Sequence, residues 1–67
     1  MILMAIYNIK DGKQVEKSKQ VVSLEFKSVI KLIHRLKRDY ENFTYDRDYR
    51  CLHASDGSFE NGIYIQF

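Results

Sequence analysis

Residues 2–22 have the pattern of two β-strands joined by a tight turn. In the first segment, Ile2 to Lys10, apolar residues near the start fall on both alternating sets of positions, which is typical of an interior strand. Asp11-Gly12 follows, and this pair favours the positive backbone dihedrals of a two-residue hairpin. The return segment, Lys13 to Val22, carries charged residues on both faces, which predicts an edge strand.

From Leu24 the spacing of apolar residues changes from two to three and four, which predicts an amphipathic helix. Ser23 has the residue type of an N-cap, and the helix is predicted to run for about nineteen residues. On a helical projection the apolar residues gather on one side and a basic stripe lies opposite. The apolar side consists of Phe26, Val29, Ile30, Leu32, Ile33, Leu36 and Tyr40, and the basic stripe consists of Lys27, Lys31, Arg35 and Arg38.

Alternation by two returns after the helix and runs through residues 43–54 without indicating which side faces the helix. Asp56-Gly57 and Asn61-Gly62 predict turns, and Ile63 to Phe67 predicts a last strand. Together these elements predict one domain over residues 1–67. It is a small two-layer α+β domain in the order β-β-α-β-β, with one helix packed on a mostly antiparallel sheet.

A single helix covers only one face of such a sheet, so we predict that the other face is open. It would be apolar at Met4 or Leu3 and aromatic elsewhere. The candidate tyrosines for this face are Tyr7, Tyr45, Tyr49 and Tyr64. An exposed face of this kind is usually covered by a second copy or by a partner protein, so we expect a homodimer or a protein complex.

Composition narrows the classes of function. A chain of 67 residues and 8.0 kDa leaves little room for an enclosed substrate cavity beside a core, so we predict that it is not an enzyme. Its one cysteine excludes an intrachain disulfide, and no apolar run approaches the ~20 residues of a membrane span. The first residues also lack the basic segment of a signal peptide. We therefore expect a cytoplasmic protein without membrane contact.

Few residues have the types and spacing that catalysis or metal binding needs. Cys51 and His53 share one face of a strand about 6.6 Å apart, too far for the hydrogen bond that activates a thiol nucleophile. His34 and Asp56 would have to join them in a zinc site, and their spacing matches no zinc-binding pattern. We predict no catalytic residue, no metal and no cofactor.

Charge is unevenly distributed although the net charge is only +2 at pH 7. Basic residues concentrate between positions 10 and 38, and most acidic residues follow them. The basic stripe has the spacing to follow nucleic-acid phosphates, yet a soluble helix shows the same stripe to water. The modest net charge favours the second interpretation. A nucleic-acid-binding protein that uses this stripe and the sheet tyrosines is our alternative prediction of function.

Acidic and aromatic residues interleave from position 39 to 49. Such a surface offers carboxylates to a partner's Arg and Lys while its rings supply contact area. The competing interpretation is that Tyr40 and Phe43 belong to the core and the acids solvate a loop. The candidate partner-binding residues are Asp39, Glu41, Tyr45, Asp46, Asp48 and Tyr49.

Our leading prediction is a small, non-enzymatic protein-binding module whose partner is an enzyme with a basic surface. Lys, Ile, Tyr, Asn and Phe are abundant, and their codons are rich in A and T. Together with the small size and the acidic-aromatic segment, this suggests a phage or mobile-element protein. In that case it would act as an inhibitor that blocks a host enzyme, such as a nuclease defence effector.

Overall fold

The computed structural model of the chain describes all of residues 1–67. Its elements are β1 (Ile2–Lys10), β2 (Lys13–Leu24), α1 (Phe26–Asp39), β3 (Asn42–Asp46), β4 (Cys51–Ser55) and β5 (Gly62–Gln66). The strands form one sheet in the order β2-β1-β5-β4-β3, and every neighbouring pair is antiparallel. The predicted class, one helix packed on an antiparallel sheet in an α+β domain, is confirmed.

The first hairpin follows its prediction closely. Asp11 and Gly12 have φ values of 54° and 78°, as a two-residue hairpin turn requires. β1 lies between β2 and β5, and β2 is an edge strand, so both predicted positions are confirmed. β2 is irregular opposite Tyr7, where Ser18 Oγ accepts the N–H of Asn8 at 2.8 Å in place of a backbone carbonyl.

The helix begins later and is shorter than predicted. Ser23 does not cap it, because β2 continues to Leu24, which pairs with Ile2 and packs against the core. Glu25 takes the N-cap position without a side-chain hydrogen bond, and α1 has 14 residues rather than about nineteen. Strand pairing and burial of Leu24 thus outweigh the capping preference of a serine. The chain contains no helix of the length and apolarity that crossing a bilayer requires.

A turn divides the stretch 43–54, predicted as one strand, into β3 and β4. Asp46 Oδ1 accepts the N–H groups of Asp48 at 3.0 Å and Tyr49 at 3.2 Å, which is the geometry of an Asx turn. Arg50 completes the reversal with a φ of 52°. The sheet consequently has five strands, with one more strand after the helix than the sequence pattern indicated.

The core lies between α1 and one face of the sheet. Its buried members are Met4, Val29, Leu36, Leu52, Ala54 and Ile65. The register pairs Tyr45 with Leu52 and Phe43 with Ala54, so these two aromatic residues of β3 share the covered face. Cys51 and His53 alternate with Leu52 and therefore belong to the other face. Only eight of the 67 residues are buried, so most side chains of this thin domain border a surface.

Candidate functional site

The uncovered face of the sheet, which we call the open face, is built from two rows of cross-strand neighbours. Tyr7, Tyr64, His53 and Thr44 form one row across β1, β5, β4 and β3, and Ala5, Gln66, Cys51 and Asp46 form the next. Leu3 of β1 and Val21 of β2 extend the face on the side of β2. Because side chains alternate along a strand, all of these residues point away from α1.

Two tyrosines occupy the centre of the open face. The ring centroids of Tyr7 and Tyr64 are 6.0 Å apart with an interplanar angle of 54°, and Lys19 Nζ lies 5.9 Å from the Tyr7 centroid. The Tyr64 hydroxyl donates to Gln66 Oε1 at 2.9 Å, and Gln66 Nε2 donates to the Tyr49 carbonyl at 2.9 Å. These bonds connect the centre of the face to the turn between β3 and β4.

The environment of Tyr64 favours its neutral form. Burial is the largest cause that raises the pKa of its hydroxyl, and the adjacent Cys51 side chain is the next. A neutral tyrosine keeps its O–H as a donor, which is consistent with the bond to Gln66. Tyr64 is therefore an uncharged hydrogen-bonding ring at neutral pH, whereas Tyr7 beside it contacts the Lys19 ammonium.

The two ends of the open face differ in polarity. Leu3 and Val21 are 66% and 61% exposed and lie on adjacent strands at one end of the face. Asp46 lies on β3 at the opposite edge, four strand spacings or about 19 Å away. A partner that covered this face would meet apolar groups at one end and a carboxylate at the other.

One corner of the open face is covered by a loop. Ile9 and Ser55 point to this side of the sheet, yet they are 6% and 0% exposed. The loop 56–61 lies beside them, and the Glu60 carbonyl accepts the N–H of Gly12 at 3.0 Å. Asp56 holds this loop by accepting hydrogen bonds at Oδ1 from Ser58 Oγ at 2.9 Å and from the Glu60 N–H at 3.1 Å.

Comparison with known proteins adds no relative to this picture. The chain matches no protein-family model, no curated protein and no solved structure. What the protein can do must therefore be inferred from its own surfaces.

The structure divides the predicted partner-binding residues between the two ends of β3. Tyr45, Asp46, Asp48 and Tyr49 gather at its C-terminal end and in the following turn, whereas Asp39 and Glu41 precede its N-terminal end. Three extended residues, 42–44, lie between Glu41 and Tyr45, which are about 13 Å apart along the strand. Asp39 accepts from Arg38 at 3.1 Å, and Asp46 uses Oδ1 in the Asx turn, which leaves its Oδ2 without a hydrogen bond. Within one chain these residues do not form a single patch.

The predicted tyrosines likewise divide between surfaces. Tyr7 and Tyr64 lie on the open face as expected. The expectation is wrong for Tyr45, which shares the covered face and makes an edge contact with Phe67 at 6.4 Å between centroids. It is also wrong for Tyr49, which lies in the turn outside any strand and is 74% exposed. The turn after Asp46 ends the alternation that had placed these residues together.

The basic stripe lies on the far side of the molecule from the open face. Lys27, Lys31, Arg35 and Arg38 are all exposed on α1, which covers the opposite face of the sheet. A shallow depression beside them is lined by Leu24, Ser28, Lys31, Leu32 and Arg35. The stripe and the tyrosine pair therefore point in opposite directions and cannot contact one stretch of nucleic acid together.

Cys51 and His53 lie on the open face but outside both depressions of the surface. The second depression lies between α1 and β3 and is lined by Ile33, Lys37, Phe43, Tyr45 and Leu52. His34, the other imidazole, is exposed on α1. Of the two residues that the sequence offered for the apolar part of this face, the structure places Leu3 there and buries Met4, and the sequence pattern missed Val21.

Proposed function

We propose that this chain is a non-enzymatic protein-binding module and that the open face is its binding surface. The observation that carries the proposal is the exposure of Leu3 and Val21, at 66% and 61%, on a sheet face that no layer covers. Exposed apolar side chains contribute little to folding, and contiguous ones on a monomer commonly mark contact sites. A binding role explains why these two apolar side chains are exposed, whereas the folding of the isolated domain does not.

The polarity of the face indicates the chemistry of the partner. Leu3 and Val21 suit an apolar contact, and the half-buried Tyr7 and Tyr64 supply ring area whose hydroxyls remain able to hydrogen-bond. Asp46 at the other edge, with Asp48 in the adjoining turn, suits a lysine or arginine of the partner. The matching surface is a protein surface with an apolar patch and a basic group about 19 Å from it.

Two observations support a role without catalysis. Cys51 and His53 are alternate residues of one strand, so neither is in position to activate the other. Neither residue lines either of the two depressions, where a small substrate would be held. A sheet face that borders neither depression suits recognition of a macromolecule better than enclosure of a metabolite.

The experiment compares two exposed apolar residues on opposite layers. Leu3→Asp places a charge on the open face, and Phe26→Asp places one on α1, where Phe26 is 67% exposed. Each immobilised variant is used to capture proteins from the native host, with identification by mass spectrometry and a direct titration of the captured protein. We expect Leu3→Asp to weaken the captured complex by more than tenfold, about 1.4 kcal/mol, and Phe26→Asp to leave it unchanged. Equal binding by both variants would contradict the assignment to the open face.

A nucleic-acid-binding function is the second candidate, because Lys31 and Arg35 flank the depression on α1. Such binding would depend steeply on salt, since each neutralised phosphate releases counterions. Electrophoretic titration with single-stranded and double-stranded DNA and RNA at low and moderate salt tests it. A salt-sensitive shift that Lys31→Ala and Arg35→Ala abolish, and that Leu3→Asp preserves, would favour this candidate over ours.

The narrower hypothesis is a phage or mobile-element inhibitor of a host enzyme in the cytoplasm. It rests on the small size, on the abundance of amino acids whose codons are rich in A and T, and on the acidic residues of β3 and its turn. It predicts that the captured protein is an enzyme whose activity falls when this chain binds. A captured partner without such an activity would leave the binding function standing and remove the inhibitor hypothesis.

A further inference from the structure

The two edges of the sheet are protected to very different degrees. β2 carries Lys13, Lys17 and Lys19 and an irregular segment opposite Tyr7, and both features discourage pairing with another strand. β3 has neither lysine nor proline, and it pairs with β4 in an uninterrupted register over all five residues. β3 is therefore the edge that remains able to accept a further strand.

The hydrogen-bond pattern identifies the backbone groups that point outward from β3. The N–H of Phe67 bonds to the Arg50 carbonyl at 2.9 Å and that of Asp56 to the Asn61 carbonyl at 2.9 Å, so the even-numbered residues of β4 bond to β5. Because donors alternate in direction along an antiparallel strand, the odd-numbered residues of β4 bond to β3. Their partners on β3 are Asn42, Thr44 and Asp46.

Phe43 and Tyr45 consequently direct their N–H and C=O groups away from the sheet. These groups have no neighbouring strand, since β3 is the last strand in the order. Free backbone groups on a regular edge are the feature that strand addition uses. The same two residues project their rings toward the α1 side, where Tyr45 is 53% exposed.

We propose that β3 pairs with β3 of a second copy, antiparallel and about a two-fold axis at Thr44. In this register Phe43 lies opposite Tyr45 of the second copy, and each exchanges both backbone hydrogen bonds with the other. Thr44 faces its own equivalent, and Asn42 faces Asp46 of the second copy. No like charges oppose each other within the paired strands, as a self-complementary interface requires.

Charge complementarity continues beyond the strand ends and argues for a second copy rather than an unrelated strand. One residue beyond each end of the paired strands, Glu41 comes near the start of the turn that carries Arg47 of the second copy, and the symmetry repeats this pair at the other end. Both side chains are exposed. The Glu41 carboxylate lies over Gly57 in the single chain and can turn toward the pair without leaving a buried site.

The side chains above the edge also suit this arrangement. Phe26, Ile30, Ile33 and Lys37 follow one another at spacings of four, three and four, so they form one stripe of α1, and its members Ile33 and Lys37 line the depression beside the β3 rings. Phe26 and Ile30 are 67% and 38% exposed there. Pairing through β3 would form a continuous ten-stranded sheet with the two copies of this stripe on the same side. The pairs of Phe43 with Tyr45 of the second copy would lie between the two stripes.

The assembly would also double the open face and unite the predicted partner-binding residues. Asp39 and Glu41 of one copy would lie beside the turn that carries Asp48 and Tyr49 of the other. This inference goes beyond the proposed function and does not depend on it, because it rests on the backbone edge and not on Leu3 or Val21.

The first test separates the outward N–H from the ring of Tyr45. Proline is tolerated on an edge strand where the N–H points outward, so Tyr45→Pro removes an intermolecular donor without removing a bond to β4. Tyr45→Ala is the matched control, because it removes the ring and keeps the donor. Sedimentation equilibrium over a range of concentrations should show a dimer for the unaltered chain. We expect the dissociation constant to be about thirtyfold higher for Tyr45→Pro than for Tyr45→Ala.

The second test exchanges the charges at the ends of the interface. Glu41→Arg and Arg47→Glu should each weaken the dimer about tenfold, and the chain with both changes should recover it. Glu16→Arg on β2 alters the net charge as Glu41→Arg does and should leave the dimer intact. Each of three results would overturn the proposal. They are a monomer at all concentrations, equal dissociation constants for the two Tyr45 variants, and no recovery of the dimer in the double variant. Circular dichroism of every variant distinguishes dissociation of the dimer from unfolding of the chain.

Discussion

The two faces of the sheet receive similar side chains from the same strands, but α1 covers one face and leaves the other exposed. β1 supplies Met4 to the covered face and Leu3 to the open face, and these are 2% and 66% exposed. Strand alternation distributes apolar residues to both sides, and only the position of α1 decides which of them become core. An apolar residue in this domain therefore becomes buried where α1 covers it or, as at Ile9, where the loop 56–61 does.

The comparison of the two faces is tested most directly by measuring the stability of Leu52→Ala beside that of Leu3→Ala. Leu52 is fully buried and its truncation leaves a cavity, so we expect the free energy of unfolding to fall by about 3 kcal/mol. Leu3 loses little contact on truncation, so its variant should change by less than about 0.5 kcal/mol. Urea unfolding followed by circular dichroism measures both. Similar losses would mean that the open face is covered in the isolated protein.

Gly62→Ala tests the closed corner of the open face. A Cβ at Gly62 would fall against the Ala54 carbonyl and the Ser55 Cα, both of them backbone atoms that cannot move aside. We expect a loss of about 2 kcal/mol in the free energy of unfolding. Gly57→Ala is the control, because its Cβ would meet only the flexible Glu41 carboxylate, and it should cost much less. Equal costs would indicate that β4 and β5 can separate at this corner.

The sequence was sufficient for those parts of the fold that local chemistry decides. Asp11-Gly12 specifies the first hairpin whatever surrounds it, and the spacing of Val29, Leu32 and Leu36 specifies the helix. Ser23 shows the limit, because its preference as a cap was outweighed by the pairing of Leu24 with Ile2. Burial against distant residues is not visible in a local pattern.

The candidate site was harder to predict for a related reason. The alternation from Phe43 to His53 continues through the turn, so nothing in the apolar pattern shows that Asp46 caps it or that Tyr45 and Cys51 face opposite sides. The signal that could have found the turn is the Asp-Arg-Asp sequence at 46–48, where an aspartate often accepts backbone N–H groups two and three residues later. Whether the predicted partner-binding residues between positions 39 and 49 lie close together depends on strand pairing, which sequence spacing alone does not give.

Ser55→Ala has a smaller expected effect and the opposite sign. The Ser55 hydroxyl is buried on the open-face side without a hydrogen-bond partner, so removing it should be neutral or raise the free energy of unfolding by up to about 1 kcal/mol. Ser18→Ala is the matched control, because Ser18 Oγ accepts from Asn8 and donates to the Val15 carbonyl. That variant should lose about 1 kcal/mol. A loss at Ser55 equal to that at Ser18 would show that the buried hydroxyl has a partner after all.

The smallest effect concerns the loop that closes the corner. Hydrogen bonds from Ser58, Asn61 and Glu60, led by the Ser58 hydroxyl, hold the pKa of the Asp56 carboxyl below its ordinary value. The folded chain therefore binds this proton less tightly than the unfolded chain. The stabilisation is complete above the ordinary pKa and disappears as the pH falls through the lowered one.

Acidification should accordingly loosen the loop 56–61 before it unfolds the covered core. The expected observation is a loss of protection at the Glu60 and Asn61 amides, which donate to Asp56, after exchange rates are corrected for the intrinsic rate at each pH, with the amides of β4 and β5 still protected. Asp56→Asn keeps an acceptor oxygen but has no proton to bind in this range, so its loop should exchange independently of this transition. If the Asp56 carboxyl titrates at its ordinary value while the loop stays ordered, the closure of this corner depends instead on the Gly12–Glu60 bond and the packing around Ile9.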